Sequence, residues 1–291
     1  MATPSAEVEI DEPLVRSLLV EQQPELADLP MRFVGEGWDN VVVQLGADLM
    51  VRLPRRAAAA QLVLNEQRWL PTLAPSLPLP VPTPIFAGVP GGRYPWSWSI
   101  CPWLPGESAA VAPPADPHEA ALTLAAFVVA LHQPAPYDAP GNPFRGVHLQ
   151  RRAEAVQQRT QLLRDVIPAE QVLSVWDELR STPPWSEAPL WLHGDLHPSN
   201  MLTHEGRLSA IIDFGDITSG DPATDLAVAW MLFEPRDREV FRRAAAIDDD
   251  TWRRAAGWAL NLSLAYLTGD DSTSMPAIGR ATLSAVLAEF G

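Results

Sequence analysis

Between residues 31 and 53 apolar and polar positions alternate, broken by two turns. This predicts three strands, through MRFVGE, through VVVQLG and, past the Ala47-Asp48 turn, through DLMVRLP. Upstream, an amphipathic segment over 14–20 begins at Asp11-Glu12-Pro13, an N-cap with proline in the first turn. Residues 57–70 (AAAAQLVLNEQRWL) are good helix formers with apolar spacing at Leu62, Leu64 and Trp69, and Pro71 ends that helix. A polyproline-like connector over 75–84 leads to a strand at 85–87, a turn at Pro90-Gly91-Gly92 and a strand over 96–101. From Gly106 onward the pattern becomes helical. Asp116-Pro117 cap an apolar helix over 120–131, and charged amphipathic helices follow over 151–166 and 171–180. A buried helix over 226–233 comes next, then capped helices over 236–246, 250–267 and 274–290. The Pro/Gly-rich excursion over 133–146 is long for a compact domain, a length that often signals function.

Composition narrows the classes. At 291 residues the chain is large for one core, so a bilobal unit or two small domains are expected. Its 47% apolar and 20% charged residues are ordinary for a globular protein. The net charge is −15, and all 21 basic residues are Arg. Nucleic acid is therefore not an expected partner, whereas an acidic surface draws cationic small molecules. The single Cys101 rules out an intramolecular disulfide framework, suits a reducing compartment and reads as packing. The acidic N-terminus lacks the features of a signal peptide, and the longest apolar run, over 120–131, falls short of the roughly 20 residues that span a bilayer. A soluble cytoplasmic protein without membrane partners, monomeric or weakly dimeric, is the expectation. None of the six His has zinc-like spacing, and the Asp248-Asp249-Asp250 run reads as a helix cap.

One stretch specifies a chemistry. Residues 191–225, WLHGDLHPSNMLTHEGRLSAIIDFGDITSGDPATD, carry His193-Gly194-Asp195 with Asn200 five positions after the Asp. A turn at Glu205-Gly206 and an apolar strand then lead to Asp213-Phe214-Gly215. Phosphoryl transfer needs such an arrangement: one carboxylate to orient and deprotonate the attacking hydroxyl, and an amide oxygen and a second carboxylate to hold magnesium.

HGDLHPSN with IIDFGD and DPATDLA resembles the aminoglycoside phosphotransferase family, bacterial small-molecule kinases with the protein-kinase-like fold. The resemblance implies an α+β bilobal fold. A small N-terminal antiparallel sheet lobe with one main helix would span 1–103, and a larger, mainly helical lobe 104–291. It implies ATP and Mg²⁺ as cofactors, Asp195 as catalytic base, Asn200 and Asp213 as magnesium ligands, and Asp225 as a buried anchor under the catalytic loop. Gly35 and Gly37 would lie in the loop over the phosphates. Arg52 stands where many members have Lys on the third strand, and Glu66, the only acid on the following helix, would be its partner. Cys101 to Leu104 would form the adenine hinge; Pro102 has no N–H, so Trp103 or Leu104 donates. His197 is the candidate for substrate contact. The implied activity is ATP-dependent phosphorylation of a small-molecule hydroxyl. The acceptor expected from net charge is cationic, such as an aminoglycoside-type antibiotic. The alternatives are a metabolic kinase for choline, a sugar or another hydroxyl compound, and a nucleotide-binding module without turnover.

Overall fold

The computed structural model describes residues 5–269 and 273–291; the N-terminus read above begins outside them. Two compact units emerge. Of the described residues, one comprises those up to Pro75 together with Pro80–Pro105, the other Ser76–Leu79 with those from Gly106 on.

The first unit is a five-stranded antiparallel sheet. Its strands are β1 (Met31–Glu36), β2 (Asn40–Leu45), β3 (Leu49–Pro54), β4 (Phe86–Gly88) and β5 (Trp98–Pro102), in the order β1-β2-β3-β5-β4. Alternation gives the sheet its buried face: Val41, Val43, Leu45, Val51, Leu53, Trp98 and Ile100 pack with Leu14, Val15, Leu18 and Leu19 of helix α1 (Glu12–Gln22). Each such side chain, fully buried, stabilises by about 1.5–3 kcal/mol. The Asp11 carboxylate caps α1 by accepting from the Leu14 amide at 2.9 Å.

Helix α2 (Ala57–Leu73) departs from the sequence reading twice. Its buried positions are Ala59, Val63, Glu66 and Leu70, while Leu64 is exposed. The i, i+4, i+3 stripe runs through an acid, because Glu66 has a buried guanidinium to meet. Pro71 lies inside the helix instead of ending it: in the last turn its missing N–H costs one backbone bond, and the chain rolls on into a 3₁₀ turn at Ala74–Ser76.

The second unit is mainly helical. Asp116 caps α3 (Pro117–Leu131) through the His118 and Glu119 amides. After it come α4 (Ala153–Leu162), α5 (Ala169–Arg180), α6 (Ala223–Leu226), α7 (Ala229–Leu232), α8 (Pro235–Ala244), α9 (Asp249–Leu267) and α10 (Met275–Phe290). The apolar run expected as one helix over 226–233 is split between α6 and α7. Helix α9 is buried on nearly every side, packed by α5, α6 and α10, which marks it as the core helix. Short strands complete the unit: β6 (Glu107–Ser108), β7 (Leu190–Leu192), β8 (Met201–His204), β9 (Arg207–Ile211) and β10 (Thr218–Gly220). β8 and β9 form a hairpin whose turn residues, Glu205 and Gly206, both have positive φ (51° and 78°), the conformation a tight two-residue turn needs. Among the described residues no helix is long and apolar enough to cross a membrane.

Candidate active site

Residues 193–200 follow β7 as a loop, and its backbone is held from below. Asp225 is fully buried and accepts from the His193 amide at 2.8 Å and the Gly194 amide at 2.9 Å, with His132 Nε2 at 3.1 Å. Charge-assisted bonds of this kind are worth about 1.5–3 kcal/mol each. Gly194 has φ 87°, and a Cβ there would stand 2.2 Å from the Asp216 carbonyl oxygen, so only glycine passes. His193 lies under the loop with no exposure. Its Nδ1 accepts from the Asp195 amide at 3.2 Å, its Nε2 contacts the Ile212 carbonyl at 3.0 Å, and its ring lies against Phe214.

Asp195 is thereby presented with 27% of its side chain exposed. Arg145 Nη2 donates to its Oδ1 at 2.8 Å, and His197 Nε2 is 3.3 Å from its Oδ2. Burial opposes ionisation of Asp195, but the adjacent His197 ring and the Arg145 guanidinium outweigh it and hold the carboxyl well below the usual range. Burial likewise weakens the Arg145 charge, and Asp195 and Asp216 more than restore it. Asp216 itself is raised, by burial first and by Asp195 and Asp213, against the opposing pull of Arg145 and Asn142.

His197 is 6% exposed and engaged on both ring nitrogens: Nδ1 accepts from the Ser199 amide at 3.2 Å, and Nε2 faces Asp195. Its contacts are those of a residue that positions the carboxylate. Asn200 donates Nδ2 to the Asp195 carbonyl at 2.9 Å, which leaves Oδ1 as its remaining oxygen. The Ile212 amide donates to the Asn200 carbonyl at 2.9 Å, bringing the end of β9, and with it Asp213, beside Asn200. Asp213 is exposed and has φ 61°, a left-handed backbone that a non-glycine residue rarely adopts and that is found most often at functional sites. One amide oxygen and one carboxylate suit a hard cation that keeps most of its water. Among the described residues no three His, Cys, Asp or Glu side chains gather as a metal cage.

In the sheet unit, Arg52 Nη1 donates to Glu66 Oε1 at 2.5 Å, with side chains 7% and 3% exposed. Gly35 ends up in β1 beside an irregularity in the ladder, and Gly37 opens the turn to β2. Among the described residues, chain neighbours apart, nothing lies within 4 Å of a Cβ built at Gly35, so packing there does not demand glycine. Room is left for a ligand to approach the backbone. Arg55 Nη1 donates to the Gly37 carbonyl at 3.1 Å and Arg56 pairs with Asp39, so the basic turn after β3 staples this loop. Cys101 is buried in β5, and burial pushes its thiol up to about 12, in keeping with a packing role. The Trp103 amide is already committed to the Asp48 carbonyl at 2.7 Å. Leu104 thus remains as the donor the hinge reading needs.

Sequence reasoning missed Arg145, Asn142 and Asp216. Asn142 Nδ2 donates to Asp216 Oδ1 at 2.9 Å, and the backbone beside Arg145 is pinned where Gly146 and Gly220 touch: the Gly146 carbonyl accepts from Asp221 at 3.0 Å, and a Cβ at Gly220 would stand 2.1 Å from that oxygen. The length of the 133–146 excursion was the one signal pointing here.

The chain belongs to the phosphotransferase enzyme family, whose model matches residues 30–258. It is thus an enzyme of the class that phosphorylates hydroxyl groups of small molecules. Among solved structures it is similar to the GDP complex of aminoglycoside 2'-phosphotransferase-IIIa, with a TM-score of 0.68 and 19% identity over 96% of this chain and 99% of that one. It is also similar to macrolide 2'-phosphotransferase MphH from Brachybacterium faecium, at 0.62 and 21% over 95% and 97%. The streptomycin–ATP ternary complex of APH(2")-IIa matches at 0.60 and 17% over 94% and 95%. These likenesses establish the protein-kinase-like fold, with its antiparallel sheet and helical remainder. No curated protein matches the chain.

Proposed function

We propose that the protein moves the γ-phosphoryl group of ATP to a hydroxyl of a small molecule, with Asp195 receiving that hydroxyl. The observation that carries this reading is a carboxylate kept ionised yet part-exposed on a loop whose backbone is locked by Asp225. Solved structures of this fold with GDP, and with streptomycin and ATP, support nucleotide and small-molecule binding.

Asn200 Oδ1 and Asp213 would hold Mg²⁺, which when bound neutralises phosphate charge. Arg52, fixed by Glu66, offers its guanidinium to the phosphates; Gly35 and Gly37 let the backbone come close; the Leu104 amide serves adenine. Asp195 accepts a hydrogen bond from the acceptor hydroxyl and fixes its direction of attack. The hydroxyl oxygen forms a bond to the γ-phosphorus, and the bond from that phosphorus to the bridging oxygen breaks, its electron pair leaving with ADP. The hydroxyl proton passes to Asp195 and on to solvent. A carboxyl held this far below its usual range is a weak base, which suits a loose transition state in which orientation outweighs early deprotonation.

The test is transfer of γ-labelled phosphate from ATP across a panel of hydroxyl compounds, with Asp213→Ala as control. That variant should lose nucleotide affinity with magnesium present and match the wild type in EDTA. Equal losses in both conditions would assign Asp213 a structural role.

A further inference from the structure

Arginines and unanswered donors gather around Arg145, the guanidinium that pairs with Asp195. Arg145 lies on Asp195 and within electrostatic reach of Tyr266, Arg152 and Arg159. Tyr266, on α9, packs edge-on against His197 with ring centroids 5.8 Å apart, and His197 is 3.3 Å from Asp195. One and a half turns earlier on α9, Asn261 accepts from Arg159 Nη1 at 3.4 Å through its Oδ1. Arg152 lies over the Phe144 ring at 5.5 Å.

Within this group the Arg152 Nε, the Asn261 Nδ2 and the Tyr266 hydroxyl are buried and have no hydrogen-bond partner among the described residues. Arg152, Asn261 and Tyr266 are 8%, 1% and 8% exposed. Such groups are costly to leave unsatisfied, and native proteins rarely do so without a ligand or ordered water to meet them. The charge balance points the same way. Arg145 is answered by Asp195 at 2.8 Å and Asp216 at 3.7 Å, but Arg152 and Arg159 have no carboxylate partner among the described residues. Burial and their neighbouring arginines lower both guanidiniums, as expected of cations gathered without a counter-ion.

Resting on the reading of Asp195 above, we propose that the acceptor carries, beside its reactive hydroxyl, an anionic oxygen group, carboxylate or phosphate, received by Arg152, Arg159, Asn261 and Tyr266. The net charge of −15 suggested a cationic acceptor; the side chains around the proposed base favour the opposite sign. Three orphaned donors and two guanidiniums without counter-ions match an oxyanion, whereas an ammonium group would bring further donors and positive charge to the same place.

The test pairs acceptors that differ only in the anion: gluconate against glucitol, and glucose 6-phosphate against glucose, with aminoglycosides as a third arm, ADP release being read with MgATP saturating. One anionic member should exceed its neutral counterpart in kcat/KM by about 10- to 100-fold, the effect of one charge-assisted bond. Which pair responds tells carboxylate from phosphate. Arg152→Gln should remove most of the advantage by raising KM, and Arg152→Lys should restore part of it. Better turnover of a neutral sugar or an aminoglycoside would overturn the proposal. So that absence of turnover is also decisive, gluconate, inorganic phosphate and sulfate are titrated against the Tm of wild type, Arg152→Gln and Arg159→Gln. Stabilisation confined to the wild type supports the site; equal response, or none, sinks it. MgATP is titrated separately: failure to bind nucleotide would break the kinase reading, while the anion titrations would still judge the pocket.

Discussion

Arg52–Glu66 and Arg145–Asp195 are both guanidinium–carboxylate pairs, yet solvent treats them differently. In the sheet unit the two side chains are 7% and 3% exposed; in the helical unit Arg145 and Asp195 are 19% and 27% exposed. In the first pair the buried acid holds a cation in place. In the second the cation holds an acid, which stays reachable. Breaking the closed pair strands a buried charge, whereas the open pair leaves its carboxylate within reach of solvent. Depth of burial, more than the identity of the residues, is what distinguishes the two pairs.

The largest effect should come from the reachable member. Asp195→Asn preserves shape but not charge, and turnover should fall by about 10²–10⁴-fold with MgATP affinity unchanged. Near-full transfer by this variant would remove the distinction between the pairs. Next is the closed pair. Arg52→Ala and Glu66→Ala should each raise KM for ATP, and the double variant should depart from additivity by about 0.5–3 kcal/mol, while Arg52→Lys keeps part of the activity. Additive losses in steady-state kinetics would mean that the two side chains act separately.

The smallest effect concerns pH. Asp195 is depressed below the value of about 3.9 expected unfolded. Its ionised form therefore stabilises the fold above that pH, and the contribution is lost as pH falls through the folded value. Arg145→Gln removes one of the causes, so the acid limb of both stability and activity should move to higher pH. Turnover near neutrality should fall less than in Asp195→Asn. An unchanged acid limb would show that Arg145 does not set the carboxyl.

Local chemistry in this chain could be read in order along it. The Asp11 and Asp116 caps, the strand alternation of 31–53 and the Glu205-Gly206 turn are set by near neighbours, and all three recur in the fold. So does the spacing of Asp195, Asn200 and Asp213, since one loop and one hairpin carry it. Residues that meet across long separations were not legible. Arg145 reaches Asp195 from fifty positions away, and no periodicity announces it. Helix α2 shows a subtler failure: apolar spacing favoured Leu62, Leu64 and Trp69, but the buried stripe follows Glu66, whose burial depends on a strand partner fourteen residues earlier.

The left-handed backbone at Asp213 bears on how this enzyme can be engineered. Glycine adopts that conformation without strain, whereas aspartate, like asparagine, only tolerates it, so Asp213→Gly should raise stability by less than about 1 kcal/mol once the added freedom of the unfolded chain is counted. A library sorted by heat resistance alone should therefore drift toward glycine at position 213. The most durable variants would then be those that had given up the carboxylate.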